Sequence, residues 1–442
     1  MMRRLHFLLP LFLLGAVDNS HALEASRHTF DNGLRLIILE QTTVPIVTID
    51  CLVDGGARVD PRLKPGLASF TADLLDEGTS QATGPEIARK IDSLGGSLSM
   101  GAGQDWIHAG ASLLSRDFQT GLELLAASLR SPTFPEAEIE RIRRETLGSI
   151  TASDENPAAI ASRTFRAALF GDSPYGHPII GTPESVRAIS RQDIVDFHAR
   201  NLRPNQTICA IVGDVPEVEA LAQMKTFFGD WQGVAAAENA TGATPPNSRE
   251  IAVFQQTTQA SIIIGQLGIA RDNPDYFPLL LMNHIFGGGG FSSRLVERVR
   301  TREGLVYSIY SRLSSTRLPG SFRIGLQTKA ENAEKAIRIV REEITNMHQD
   351  GATQEELQAA KDYLTGSFPL RLDSTGKLSG LLAQIEYFDL GTDYIAKYAG
   401  RVREVTVDEV RAVARKYLRP EGLIVITVGP ENGPATESTQ AP

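Results

Sequence analysis

Histidine and cysteine are the side chains that most often bind transition metals, and this 442-residue chain has only eight histidines and two cysteines. A catalytic zinc site on a helix uses two histidines one turn apart. The histidines after residue 22 all stand alone, with no two within one helical turn: His28, His108, His177, His198, His284 and His348. The sequence therefore predicts no zinc site built from this chain alone.

The segment 65–79 predicts a short helix. Its proline suits a first helical turn and its glycine near the end can stop the helix. The apolar side chains recur at helical spacing on one face: Leu67, Phe70 and Leu74. Ser69 and Asp73 lie one turn apart among the polar side chains. Taken alone, they are best interpreted as part of a solvated helix face.

This segment resembles the HxxEH helix of the pitrilysin/insulinase zinc peptidases, a family that includes the mitochondrial processing peptidases. There the two histidines hold zinc and the glutamate is the general base. Ser69, Ala72 and Asp73 stand at the positions of the first histidine, the glutamate and the second histidine. Ala72 offers no base, so the resemblance implies a degenerate site.

The family's third zinc ligand, a glutamate, has a counterpart by spacing in Glu145. One serine and two carboxylates make a poor zinc set. Glu145 is favoured instead as a surface helix residue that pairs with Arg141, four positions earlier. A relic or alternative metal site is the less favoured interpretation, and we expect no metal in this chain.

A second resemblance lies in the other half of the chain, where Ser293-Arg294-Leu295 precedes an Arg-x₃-Gly-Leu-x-Tyr pattern from Arg300 to Tyr307. In the family this pair reaches the zinc site of the opposing half or subunit. The resemblance implies that Tyr307 donates to a developing oxyanion and that Arg300 holds a substrate carbonyl. Such preorganised donors contribute about 3–4 kcal/mol each.

Two alternatives to this assignment stay open. Tyr307 could pack in a sheet while Arg300 only caps its helix. Arg298 or Arg302 could also share or replace the role of Arg300, because both are close to it in the sequence.

Short sequences recur along the chain at a constant separation. The sequence Leu202-Arg203-Pro204 returns as Leu418-Arg419-Pro420, and Val212-Gly213 returns as Val428-Gly429. The constant offset predicts an internal duplication with an N-terminal half at 23–235 and a C-terminal half at 249–431. Residues 236–248 are rich in small residues and proline and predict a linker, and the polar tail 432–442 predicts disorder.

Each half mixes short strands with helices. Leu34–Leu39 and Ile46–Val53 are apolar runs typical of strands, while 87–94 and 118–129 have helical spacing. The strands are too short and too close together to be mainly βαβ units. We therefore predict an α+β fold with two related α/β-sandwich halves, each an antiparallel-rich sheet flanked by helices.

Residues 1–22 have the pattern of a cleavable signal peptide. Two arginines precede an eleven-residue apolar stretch from Phe7 to Val17, and Ser20-His21-Ala22 suits cleavage after Ala22. This pattern predicts export to a bacterial periplasm. No membrane anchor is expected, because no later run reaches the length of a spanning helix. Cys51 and Cys209 could form a disulfide in an oxidising compartment or remain separate buried thiols.

The formal charge of −9 and the absence of a basic block argue against nucleic-acid binding. The leading hypothesis is a non-catalytic subunit of a heterodimeric zinc peptidase, not an autonomous peptidase. It would supply Arg300 and Tyr307 to a homologous partner that carries HxxEH and the zinc, and its substrates would be peptides. The alternative is a non-hydrolytic peptide-binding or structural chamber protein of the same fold.

Overall fold

The computed structural model describes residues 25–234 and 241–431. The predicted signal peptide, the tail predicted to be disordered and the first part of the predicted linker lie outside these residues. Residues 241–248 form neither helix nor strand. Among the residues that are described, no helix is long and apolar enough to cross a membrane.

Within residues 25–234 the structure has six strands and eight α-helices. The strands are β1 (Ser26–Thr29), β2 (Arg35–Glu40), β3 (Ile46–Asp54), β4 (Ser97–Ala102), β5 (Trp106–Leu114) and β6 (Thr207–Gly213). The helices are α1 (Leu67–Ala72), α2 (Gly84–Ser93), α3 (Phe118–Arg130), α4 (Glu136–Asp154), α5 (Pro157–Phe170), α6 (Pro183–Ala188), α7 (Arg191–Asn201) and α8 (Glu217–Phe228).

Within residues 241–431 the structure has five strands, six α-helices and two π-helical turns. The strands are β7 (Arg249–Phe254), β8 (Gln259–Leu267), β9 (Val306–Ser314), β10 (Ser321–Lys329) and β11 (Ile424–Gly429). The helices are α9 (Tyr276–Asn283), α10 (Ala333–Asp350), α11 (Gln354–Ser367), α12 (Thr375–Tyr387), α13 (Tyr394–Glu404) and α14 (Val407–Tyr417), and the π-helical turns span His284–Gly288 and Val296–Arg302.

The two sheets share one topology. Their strand orders are β1-β2-β6-β3-β5-β4 and β7-β11-β8-β10-β9, so five strands follow the same path in each. Only the β2–β6 and β11–β7 pairs are parallel in these sheets. The predicted α+β fold with two related, antiparallel-rich halves is confirmed. A duplication as the origin of the halves remains a prediction.

Each half places one helix on the sheet of the other half. Helix α12 covers β3 and β6 of the first sheet, and helix α5 covers β8 and β11 of the second. The buried apolar residues of the first of these two contacts are Ile37, Leu39, Leu52, Ile208, Ala210, Val212, Leu378, Leu382, Ala383 and Tyr387. This reciprocal exchange buries apolar surface from both halves and fixes them against each other.

A buried hydrogen-bond network also joins the halves. The Asp105 carboxylate is 2% exposed and accepts hydrogen bonds from the Tyr175 hydroxyl (2.5 Å) and from the backbone N–H of Arg317 in the second half (3.0 Å). The Tyr175 hydroxyl in turn accepts a bond from the backbone N–H of Leu318 (3.0 Å). Burial raises the pKa of both Asp105 and Tyr175.

We expect Asp105→Ala to destabilise the protein by about 3 kcal/mol, because it leaves a buried phenol and a backbone N–H without their acceptor. Denaturant unfolding of the variant measures this change. Asp172→Ala removes an 85% exposed carboxylate in a surface ion pair and serves as the control, with less than about 0.5 kcal/mol expected. Equal stability of the two variants would contradict the role given to Asp105.

Candidate functional site

Helix α1 carries the degenerate motif and is held at its N-terminus by a buried carboxylate. Asp60 accepts hydrogen bonds from the backbone N–H groups of Gly66 (2.7 Å) and Ala68 (2.8 Å). Burial raises the pKa of Asp60 to about 7. Gly66 has φ +94°, and a Cβ there would lie 2.7 Å from the backbone of Gly181, so both conformation and space require glycine.

The helix is shorter than the sequence predicts, since α1 ends at Ala72 and residues 73–76 continue as turns. Bonds of the i→i+3 type, from Leu74 to Thr71 and from Leu75 to Ala72, tighten this end. Ala72 is fully buried in the core of the first half. The position that would need a general base therefore holds a core methyl group.

Asp73 and Glu145 line one cavity of about 330 Å³. Met100 of the edge strand β4 and Ser149, one turn after Glu145 on α4, line the same cavity. The fold therefore brings together two of the four degenerate positions. The Asp73 carboxylate is partly buried, which differs from the solvated helix face expected for it.

The acidic groups of this region do not make a zinc site. The Glu145 carboxylate accepts two bonds from the Arg141 guanidinium (2.9 and 3.1 Å), as the sequence predicts. Arg141 also binds Glu138 (2.6 Å) and Glu77 (2.5 Å), so it neutralises several carboxylates. Nowhere in 25–234 or 241–431 do three or more His, Cys, Asp or Glu side chains form a group that could hold a metal ion. The side chains of this region therefore do not fit the zinc ion that the pitrilysin/insulinase peptidases bind.

Burial, with a smaller contribution from the charge of Asp76, raises the pKa of Asp73 to about 6. The pKa of an aspartate in the unfolded chain is about 3.9, so folding favours the neutral acid. The stability that neutral Asp73 contributes is therefore present below about pH 4 and is lost as the pH rises through about 6.

Asp73→Asn cannot ionise and should therefore be more stable than the wild type by about 2 kcal/mol at pH 8, with no difference at pH 4. Thermal or denaturant unfolding at the two pH values measures this. Asp92→Asn on the exposed face of α2 is the control and should show no such trend. A stability gain for Asp73→Asn that is the same at both pH values would contradict the explanation.

Arg300 and Tyr307 lie together at the start of the edge strand β9. Tyr307 follows Val306, where the pairing of β9 with β10 shifts by one residue, and its side chain is 86% exposed. The Arg300 guanidinium lies 5.3 Å from the Tyr307 ring and 4.9 Å from the ring of Phe291, which is 78% exposed. The alternative that Tyr307 packs in the sheet is wrong.

The neighbouring arginines differ from Arg300 in their partners. Arg294 binds Glu356 (2.6 Å), Arg298 binds Glu303 (3.0 Å) and Arg302 binds Glu297 (2.9 Å). Within the part of the chain that the structure describes, Arg300 forms no ion pair with an acidic side chain. Its charge is therefore directed to two aromatic rings and to solvent, where a ligand can reach it.

Sequence reasoning missed Phe291 as part of this cluster. The residue directly follows the glycine run 287–290, and a large aromatic side chain at the end of a glycine-rich turn was the available signal. The contact itself could not be predicted from the sequence, because it depends on the π-helical turn Val296–Arg302, which brings Arg300 back over Phe291.

Two family models match consecutive parts of the chain. Residues 36–183 match the insulinase (peptidase family M16) model, and residues 188–364 match the peptidase M16 inactive domain model. The chain is 27% identical over 399 residues to an uncharacterized zinc protease of Streptomyces coelicolor, covering 89% of this chain and 87% of that protein. It is 26% identical over 387 residues to the non-peptidase homolog YmxG of Helicobacter pylori, covering 87% and 89% of the two chains.

Solved structures agree with these matches. The peptidase M16 inactive domain from Pseudomonas fluorescens superimposes with a TM-score of 0.89 at 28% identity, over 95% of this chain and 100% of that one. A protease from Helicobacter pylori has the same fold, with a TM-score of 0.85 at 19% identity over 92% and 99% of the two chains. The chain contains no HxxEH motif. The chain therefore belongs to the insulinase (M16) peptidase family, as a member that lacks the family's catalytic features.

Proposed function

We propose that this chain is the zinc-less subunit of a heterodimeric periplasmic zinc peptidase and supplies Arg300 and Tyr307 to a partner's HxxEH site. The observation that carries the proposal is the contrast between helix α1, at the zinc-site positions, and the pair Arg300 and Tyr307. The helix that would bind zinc has a buried methyl group in place of its base. By contrast Tyr307 is exposed and Arg300 half-buried, and among the described residues neither side chain is held by an ion pair or a hydrogen bond. A chain retaining only its second site needs a partner for hydrolysis.

Each of the two side chains has a distinct part in this proposal. The Tyr307 hydroxyl donates a hydrogen bond to the carbonyl oxygen as negative charge develops on it. The Arg300 guanidinium, steadied by the rings of Phe291 and Tyr307, binds a neighbouring carbonyl of the peptide and orients it. The partner's HxxEH residues would hold the zinc, which would supply the activation of water. This chain provides donors that are already positioned before the peptide arrives.

The periplasmic location has two supports. Residues 1–22 have the pattern of a cleavable signal peptide, and the structure pairs Cys51 with Cys209 in a disulfide. Disulfides persist in oxidising compartments and are rare in a bacterial cytosol.

The test compares peptide cleavage and bound zinc for this chain, for the HxxEH-bearing homologue from the same genome, and for their mixture. We expect zinc in the homologue only, and cleavage that rises at least tenfold on mixing. Cleavage with stoichiometric zinc in this chain alone would overturn the proposal.

A second candidate is a non-hydrolytic peptide-binding or structural protein of the same fold. The name of the Helicobacter pylori relative, a non-peptidase homolog, favours it. It predicts that the mixture cleaves no faster than the homologue alone, so the same experiment separates the two functions.

A further inference from the structure

Two arginines face each other on neighbouring strands of the second sheet. Arg312 of β9 and Arg323 of β10 are directly opposite in the antiparallel register, so their side chains project from the same face. Like charges in this arrangement destabilise a sheet unless a counterion compensates them. In the described ranges neither guanidinium forms an ion pair with a carboxylate, and Arg323 donates only to the Ser162 hydroxyl of α5 (3.1 Å).

A third arginine extends the cluster. Arg166 lies one turn after Ser162 on α5, and its charge is close enough to Arg323 that the pKa of Arg166 is lowered, chiefly by burial and further by that charge. Arg166 donates to the Gln104 side chain (2.6 Å) and to the Tyr175 carbonyl (3.3 Å), both neutral acceptors. Arg323 thus lies beside both Arg312 and Arg166, and none of the three has an acidic partner in the described structure.

This cluster is unusual for the protein. The chain as a whole carries a net charge of −9, and its other surface arginines commonly bind carboxylates, as Arg294, Arg298 and Arg302 do. Guanidinium groups match carboxylates in geometry and bind them with charge-assisted hydrogen bonds. An unpaired group of three is therefore suited to an anionic ligand.

One arginine of the cluster lies on the same edge strand as Tyr307 of the candidate site. Arg312 and Tyr307 lie on the same edge strand, five residues apart, which corresponds to about 17 Å of extended chain. A peptide bound at Tyr307 and extended along this strand would present a residue about five positions away to the arginines.

We propose that Arg166, Arg312 and Arg323 form a subsite for a peptide carboxylate, and that the protein therefore selects acidic peptides. The location of the carboxylate relative to the cleaved bond rests on the proposed function, whereas binding of the carboxylate itself does not. The carboxylate comes either from an aspartate or glutamate side chain or from the peptide's C-terminus.

The experiment measures binding of fluorescent decapeptides to the isolated chain by anisotropy. One peptide carries glutamates, a second carries glutamines in their place, and each is made with a free and an amidated C-terminus. We expect the acidic peptide to bind about tenfold more tightly at low salt, with a smaller ratio in 0.5 M salt. The amidated forms show which carboxylate is recognised.

Arg312→Gln/Arg323→Gln should abolish this preference. The matched control, Arg302→Gln/Arg338→Gln, removes two charges from side chains that are 64% and 65% exposed and should keep it. Circular dichroism verifies that both variants fold. Equal binding of acidic and neutral peptides, or equal losses in both variants, would overturn the subsite. Acidic preference in the isolated chain without activation of the partner would instead reject the proposed function and leave the subsite intact.

Discussion

Tyr307→Phe is expected to lower kcat of the assembled heterodimer about 100-fold and to change KM little, because the lost hydroxyl acts on charge that develops only in the transition state. Within the described chain the Tyr307 hydroxyl has no hydrogen-bond partner, so the substitution removes no contact that holds the fold. Arg300→Ala is expected to raise KM as well as to lower kcat, because the guanidinium also binds the ground-state carbonyl.

Steady-state kinetics of the mixture measures both effects, with zinc content and complex formation followed in parallel. Tyr363→Phe and Arg302→Ala are the matched controls. Both are exposed side chains of the second half that lie outside the group of Phe291, Arg300 and Tyr307. They should retain activity within about twofold. If Tyr307→Phe were as active as the wild type, the hydroxyl would have no part in catalysis.

The local features of the fold could be predicted from the sequence because each depends on neighbouring residues. The apolar runs at Leu34–Leu39 and Ile46–Val53 become β2 and β3 within one residue at each end. Helical spacing at 118–129 becomes α3. The absence of an HxxEH motif was evident from the sequence alone.

The contacts between the halves could not be predicted in the same way. Asp105 meets Tyr175 and Arg317, which are 70 and 212 residues away, and nothing in its immediate sequence indicates them. The apolar face of α12 predicts burial, but not that Leu378 and Leu382 pack on the other half's sheet. Such pairings depend on the tertiary arrangement rather than on local periodicity.

The two cysteines are another contact between distant residues that the sequence alone could not establish. The sequence left a disulfide and two separate buried thiols as alternatives, because it gives no Cα separation. Cys51 of β3 and Cys209 of β6 are directly opposite in the antiparallel register, fully buried, with Cα atoms 4.0 Å apart and a disulfide between them. The alternative of separate thiols is wrong.

Loss of this disulfide is expected to destabilise the protein by about 3–5 kcal/mol. The cysteines are 158 residues apart, and a cross-link that closes so long a loop restricts the unfolded chain strongly. Denaturant unfolding of the oxidised wild type, the reduced wild type and Cys51→Ala/Cys209→Ala measures the loss. The double variant is its own control for the reductant, because its midpoint should not respond to dithiothreitol.

The same bond tests the proposed compartment. Thiol labelling under denaturing conditions should find no free cysteine in the full chain produced with residues 1–22. It should find two in a chain that begins at Leu23 and stays in a reducing cytosol. The second form should unfold at the lower denaturant concentration of the reduced protein and recover on oxidation. Two labelled thiols in the protein made with its leader would contradict both the disulfide and the periplasmic location, since an oxidising compartment would join sulfurs that the β3–β6 register already places side by side.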